Sequence, residues 1–187
     1  KQTKKMKTLL DTVLTAAKVQ ADGTGGALNL SYQSFNNWLK HVATDFKEEA
    51  DAHRITLKTE YDPKIGMLDF DEEKCQVVLS NLLMNALAHN PDDSEIQIWS
   101  EYHPERATVR VSVSDSGPGI KEEELSEIFN RFYQDTEENH GFGIGLAYSK
   151  QIMDNMNGVL GAYNNSRGGA TFYFELPTSA PDQNAAT

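Results

Sequence analysis

Apolar residues in this 187-residue chain change spacing along its length, from the helical period of three to four to the strand period of two and back. They never settle into the regular strand–helix alternation that builds a parallel α/β sheet, so the order of elements predicts an α+β protein. Ser34 can cap a helix whose apolar set is Phe35, Trp38, Leu39, Val42, Ala43, Phe46 and Ala50. Ile55, Leu57, Thr59 and Tyr61 then alternate as a strand, and 67–70 reads as another short one. Asp71, Glu72 and Glu73 open a helix that runs through Cys75, Val78, Leu79, Leu82, Leu83 and Ala86, with acidic groups at its positive end. Strands are expected at 95–102, 107–114, 159–163 and 170–176, a loop and short helix over 115–142, and a helix from near Gly143 to Gly158. Such an order gives a mixed, mainly antiparallel sheet covered by helices on one face.

The two ends read differently from this body. Met6, Leu9, Leu10, Val13, Leu14 and Ala17 paint one stripe on a helix that Gly23, Gly25 and Gly26 stop. A stripe that long asks for a covering surface, the body of the domain or another chain, and a bundle or dimer contact is favoured over docking on its own domain. From Pro177 to Thr187 no large apolar residue follows Leu176, which reads as a flexible tail or linker. The chain thus divides into 1–22, 23–177 and 178–187.

Seventeen basic against 28 acidic side chains give a net charge of −11. Binding to nucleic acid or to an anionic membrane needs a basic face, so neither partner is expected. The single cysteine, Cys75, lies in an apolar run and fits a reducing compartment, and no stretch has the length of a membrane span. A cytoplasmic location is expected. If the ligand is an anion, the sequence must supply a local device for it.

Three motifs carry chemistry. Asn81, Asn85 and His89 form a polar column at i, i+4 and i+8 beside an apolar helix face, although Asn is a poor mid-helix residue. Neighbouring backbone can satisfy such amides; alternatively their oxygens suit a hard cation such as Mg²⁺, which takes few protein ligands. DSGPGI, 115–120, follows the strand holding Val109, Val111 and Val113 and places the Asp115 carboxylate at a strand end. There it can accept from an exocyclic amine, which favours adenine over guanine. GFGIGLAYSK, 141–150, sets Gly141, Gly143 and Gly145 before a helical run, where bare amides attract phosphate. It lacks the βαβ frame of a dinucleotide fingerprint and the lysine of a GxxxxGK[ST] loop.

In chain order, NLLMNALAHN (81–90), DSGPGI (115–120), IFNRFY (128–133), GFGIGL (141–146) and GGATFYFELP (168–177) resemble the N, G1, F, G2 and G3 boxes of the ATP-binding catalytic domain of sensor histidine kinases. The resemblance covers roughly 28–177 and implies a two-layer α/β sandwich, the Bergerat fold of the GHKL superfamily. It also makes the first helix, MKTLLDTVLTAAKVQADG, similar to the second helix of the dimerisation and histidine phosphotransfer hairpin. None of His41, His53, His89, His103 and His140 is followed by an acidic residue as in the phosphoacceptor box, so the phosphoacceptor is expected on a part of the kinase outside this chain.

By this resemblance the cofactors are ATP and Mg²⁺. Asn85 becomes the metal ligand, with Asn81 on the phosphate side one turn earlier, and Asp115 reads the adenine. Gly117, Gly119, Ile120 and Leu146 shape the nucleotide pocket, and Gly141, Gly143 and Gly145 hold phosphates at the hinge of a lid over 121–140. Phe129 and Phe132 anchor that lid, Arg131 and Lys150 are cations available to phosphate, and Thr171 is expected to support Asp115 through a hydroxyl or a water. One departure stands out: Ala88 occupies a position where family members often carry Lys or Arg, with His89 following. It keeps open an alternative, a degenerate nucleotide-binding or dimerisation module. ATPases sharing this fold place Glu where this chain has Asn81, an amide that takes no proton. That implies phosphotransfer to histidine rather than hydrolysis, with a phosphotransfer hairpin, a response-regulator receiver and a homodimer of the parent kinase as the implied partners.

Overall fold

The computed structural model describes residues 27–130 and 145–178. The elements run β1 (Ser31–Ser34), α1 (Phe35–Ala52), β2 (Thr56–Tyr61), β3 (Met67–Phe70), α2 (Glu72–His89), β4 (Glu95–His103), β5 (Thr108–Ser114), α3 (Gly145–Asn155), β6 (Val159–Asn164) and β7 (Ala170–Pro177). The expected helix at 1–22 and most of the expected tail lie outside the described residues.

Five strands form one sheet in the order β2-β4-β5-β7-β6. Only β2 against β4 is parallel, so the sheet is mixed and mainly antiparallel. β1 and β3 pair separately as a two-stranded antiparallel ribbon. Period-two burial in β4 puts Ile96 and Ile98 on the inner face, with Val109, Val111, Val113, Phe172, Phe174 and Leu176 beside them. Helices α1, α2 and α3 cover that face with Leu39, Leu79, Leu82, Leu83 and Met153. Phe35, Trp38 and Phe70 close one end of the core with ring centroids 5.1–5.3 Å apart, an arrangement that adds to plain area burial. The outer face carries polar and aromatic groups: Arg110 pairs with buried Glu175 and lies 4.3 Å over the Tyr173 ring.

Both long helices begin as their capping residues predict. The Ser34 hydroxyl accepts from the Asn37 amide at 3.4 Å, and Asp71 accepts from the Lys74 amide at 3.0 Å. Asp71 is buried because its second oxygen takes the Asn29 amide at 2.9 Å, which fastens the entering chain to the start of α2. Cys75 lies one turn inside that helix, and burial pushes its thiol up, out of the range of a reactive thiolate.

The first extended segment is 31–34, set by its register with 67–70. Of the loop and short helix expected over 115–142, the described part to residue 130 is loop and a series of turns closed by Glu124 N–H to Lys121 O, Ile128 N–H to Glu124 O and Asn130 N–H to Glu127 O, and most of 131–142 and beyond to 144 lies outside the described residues. Ile128 is buried and Phe129 packs against the core, so apolar anchoring rather than helix propensity holds this segment. Among the described residues no helix is long and apolar enough to cross a membrane.

Candidate nucleotide site

Asp115 directly follows β5 and is only 3% exposed. Its Oδ1 accepts two backbone N–H groups, from Gly117 at 2.9 Å and from Ala170 at 3.0 Å, and its own amide donates to Ala170 O at 2.9 Å. No described residue donates to Oδ2. The carboxylate is therefore fixed in orientation by backbone, with one oxygen left for a ligand.

Three asparagines build the frame around it. Asn90, at the end of α2, accepts the Ser116 amide at 2.7 Å and donates to Glu95 O at 3.2 Å, tying the helix end to the DSGPGI turn. Asn164, at the end of β6, accepts the Ile120 amide and donates to the Ile120 carbonyl, both at 2.7 Å. Asn165 donates to Ser114 Oγ, Asp115 O and Ala170 O and accepts the Arg167 and Gly169 amides, filling the β6–β7 turn. The residue types are those that mimic backbone in turns; Asn165 does so locally with Arg167 and Gly169, while Ser116, Ile120, Ser114 and Asp115 are partners distant in sequence.

Gly117, Gly119 and Ile120 sit in this frame. A Cβ on Gly117 would lie 2.6 Å from His89 O, and Gly119 has a φ of 76°, which a side-chain-bearing residue adopts only with strain. Ile120 is partly buried against the core. Gly169, which the sequence reading did not single out, approaches most closely: a Cβ there would meet Asp115 O at 2.3 Å. Thr171 is buried and its hydroxyl donates to Ser114 Oγ at 2.9 Å, so the direct partners of the Asp115 carboxylate are backbone amides and not this hydroxyl.

The other half of the site lies where α2 meets the start of α3. The side-chain nitrogen of Asn81 donates to Gly145 O at 3.0 Å and to Ser149 Oγ at 2.9 Å. Both asparagines of the polar column are half-buried on one helix face, and no described residue hydrogen-bonds the Asn85 amide. Leu146 packs against the core beside them. Lys150 pairs with Asp154 one turn along α3, so its charge is matched locally. Ala88 is exposed and His89 half-buried. Arg131, Phe132, Gly141 and Gly143 lie outside the described residues. Mg²⁺ requires hard oxygen donors, and the side-chain oxygens of Asn85 and Asn81 fit that requirement with no described donor competing for either.

A cavity of about 470 Å³ lies elsewhere, on the outer face, lined among others by Glu60, Trp99 and Glu101. Concavity alone would point away from Asp115; the convergence of motif residues and of backbone donors points to it.

The chain matches the family described as Histidine kinase-, DNA gyrase B-, and HSP90-like ATPase over residues 70–180. Sensor histidine kinase TmoS of Ectopseudomonas mendocina is 33% identical over 179 residues, covering 92% of this chain and 18% of TmoS. Full-length ShkA in complex with AMPPNP is similar in structure, with a TM-score of 0.79 at 26% identity, over 93% of this chain and 36% of ShkA. The nucleotide-free catalytic domain of histidine kinase ThkA gives 0.73 at 30% identity over 81% of this chain and 97% of that domain. ThkA in complex with response regulator protein TrrA gives 0.77 at 26% identity over 93% of this chain and 49% of ThkA. The chain belongs to the histidine kinase-, DNA gyrase B- and HSP90-like ATPase family, and its described fold is that of the catalytic domains of histidine kinases.

Proposed function

We propose that this chain binds ATP with Mg²⁺ and acts as the catalytic part of a two-component sensor histidine kinase, delivering the γ-phosphate to a histidine on a part of the kinase outside this chain. The observation that carries this reading is the Asp115 carboxylate, locked through Oδ1 by two backbone amides and left with one acceptor oxygen. A fixed acceptor at a strand end suits the exocyclic amine of adenine and opposes the carbonyl of a 6-oxopurine. The ShkA complex with AMPPNP supports the choice of nucleotide, and the ThkA complex with TrrA supports a response-regulator receiver as the downstream partner.

In this reading Asp115 and the 117–120 turn hold the base, while Asn81, Asn85 and the start of α3 face the phosphates. Asn85, with Asn81 beside it, would hold Mg²⁺, which supplies charge neutralisation on the transferring phosphoryl group when bound. Gly145 opens α3, and amides at that end attract anionic oxygen despite the chain's net charge of −11. Gly141, Gly143, Phe132 and Arg131 complete the phosphate side and lid. Asn81 stands where hydrolytic relatives carry a general base and cannot take a proton, which favours transfer to histidine over transfer to water. Residues 23–177 form the catalytic unit, 1–22 half of a dimerisation hairpin and 178–187 a linker, in a cytoplasmic portion of a homodimeric parent.

The test is to mix this chain with a separate hairpin fragment bearing the phosphoacceptor and ATP·Mg²⁺. Acid-labile phosphate is expected on the fragment and none on this chain alone. Failure of the wild-type chain to bind ATP or AMPPNP in a direct titration would sink the reading and leave a degenerate dimerisation module.

A further inference from the structure

Ser149 lies on α3, one turn after Gly145, and is fully buried. Its described partner is the Asn81 side chain, whose nitrogen also meets Gly145 O. A backbone carbonyl only accepts, so the side of the Asn81 amide that faces Gly145 must be the NH₂ and not the oxygen. With one N–H on Gly145 O and the other on Ser149 Oγ, both donors of Asn81 are consumed. What remains is the oxygen, which takes no hydrogen bond from any described residue and lies 3.5 Å from where a Cβ on Gly145 would sit. It therefore faces the opening of α3 on the same helix face as Asn85.

From this geometry we infer that Ser149 is a positioning residue for the cation: together with Gly145 O it fixes the Asn81 amide so that an acceptor, and not a donor, is turned to the phosphate side. The inference rests on the nucleotide reading above and refines it. A donor at that point would hold a phosphate oxygen directly and gain nothing from a metal. An acceptor repels phosphate oxygen and becomes favourable only with a cation, or a cation-bound water, between them. Asn81 and Asn85 then act as a pair of amide oxygens one helical turn apart. Ser149→Ala removes one of the two acceptors that hold the amide, which is then held through Gly145 O alone and keeps its oxygen less firmly toward the phosphate side.

The measurement is calorimetric titration of this chain with AMPPNP, once with excess Mg²⁺ and once with EDTA, together with Mn²⁺ binding followed by electron paramagnetic resonance in the presence of AMPPNP. In wild type, Mg²⁺ should strengthen AMPPNP binding. In Ser149→Ala that enhancement should shrink by about 3–10-fold, the scale of one hydrogen bond, with Mn²⁺ affinity falling in step and AMPPNP affinity in EDTA unchanged. Asn81→Ala should lose the enhancement at least as far, and adding Ser149→Ala to it should change nothing more, because serine acts through the amide. Melting temperatures of the variants identify any loss of folding, and Asn81→Ala tests the same arrangement from the partly exposed side.

An equal loss of affinity with and without Mg²⁺ in Ser149→Ala would make the serine a packing residue and overturn the inference. An unchanged metal enhancement in both single variants would overturn it as well. No AMPPNP binding by the wild-type chain would instead refute the nucleotide reading beneath it.

Discussion

The two halves of the candidate site are built from different materials. The base side, around Asp115, is held by backbone amides, by three asparagines that imitate backbone, and by glycines packed against carbonyl oxygens. The phosphate side, among its described residues, rests on side chains at one helix crossing, chiefly Asn81 with Gly145 and Ser149. The Asp115 carboxylate is held by two backbone amides, so in the proposed reading the acceptor for the base is oriented before binding. The phosphate side depends on fewer described contacts, those of one side-chain amide at the helix crossing. The difference predicts that substitutions on the base side act on folding and on choice of base, whereas those on the phosphate side act on metal dependence.

The largest effect is expected at Gly169. A Cβ there would lie 2.3 Å from Asp115 O and 2.8 Å from Asp115 C, both backbone atoms with no cheap way to move. Gly169→Ala should force the β6–β7 turn off the end of β5, at a cost of about 1–3 kcal/mol or more for overpacking. A lowered melting temperature with no detectable AMPPNP binding is the expected result. Wild-type behaviour would show that the base side yields more than its contacts imply.

Asp115→Asn comes next and sharpens the comparison most. The amides of Gly117 and Ala170 will hold the oxygen of the new side chain where Oδ1 now sits, so its NH₂ must replace Oδ2. A donor then meets the donor of adenine. Loss of a hydrogen bond to a charged acceptor corresponds to roughly 10–100-fold in affinity, and the facing donors add to it. Competition titration should show ATP affinity falling by that order while the ratio of inosine to adenosine triphosphate affinity rises. A loss that is equal for both nucleotides would mean the carboxylate does not read the base.

Why the base side was only partly legible in the sequence follows from the same contrast. Asp115, Gly117 and Gly119 are adjacent in a motif, and α2 was readable from Asp71 to His89 because cap, acidic first turn and apolar period agree over one continuous segment. The frame is another matter. Asn164 acts on Ile120 from 44 residues away and Asn90 on Ser116 from 26, so their roles exist only once β6, β7 and the end of α2 converge. The available signal was the run Asn164-Asn165 before Gly168-Gly169, which reads as an ordinary turn. Ser149 was silent for a similar reason, since a serine inside a helix has no pattern of its own until α2 brings Asn81 against it. Thr171 shows the converse: strand register pairs it with Ser114, and its hydroxyl follows that register instead of reaching for the carboxylate.

Asn164→Ala removes a donor and an acceptor from the Ile120 backbone without disturbing Asp115. The 117–120 turn would keep its anchor at Asn90 and lose the one at β6. A smaller weakening of AMPPNP binding is expected, about 3–10-fold and the same with Mg²⁺ and with EDTA, the opposite signature to Ser149→Ala. A metal-dependent loss from Asn164→Ala would break the division of the site into two halves.

The smallest effect concerns acid. Hydrogen bonds and charge from Lys58 and Arg167 hold the Glu95 carboxyl below its ordinary value of 4.5, and Arg167 also reaches Ser114 Oγ beside Asp115. A carboxyl depressed in the folded state contributes stability that is fully present above its unfolded pKa and is lost as pH falls through the folded one. Melting temperature should therefore decline below about pH 4.5, and Glu95→Gln should flatten part of that decline while leaving neutral-pH stability only slightly lower, since such partly exposed pairs contribute little. Glu95 O also receives Asn90 and Ser116, so the strand beneath the turn stays tied to it when the carboxylate is neutralised. Acid should thus loosen the base side through the Glu95 ion pairs, while the Asn81, Ser149 and Gly145 contacts, having no titrating group, keep their hydrogen-exchange protection over the same range.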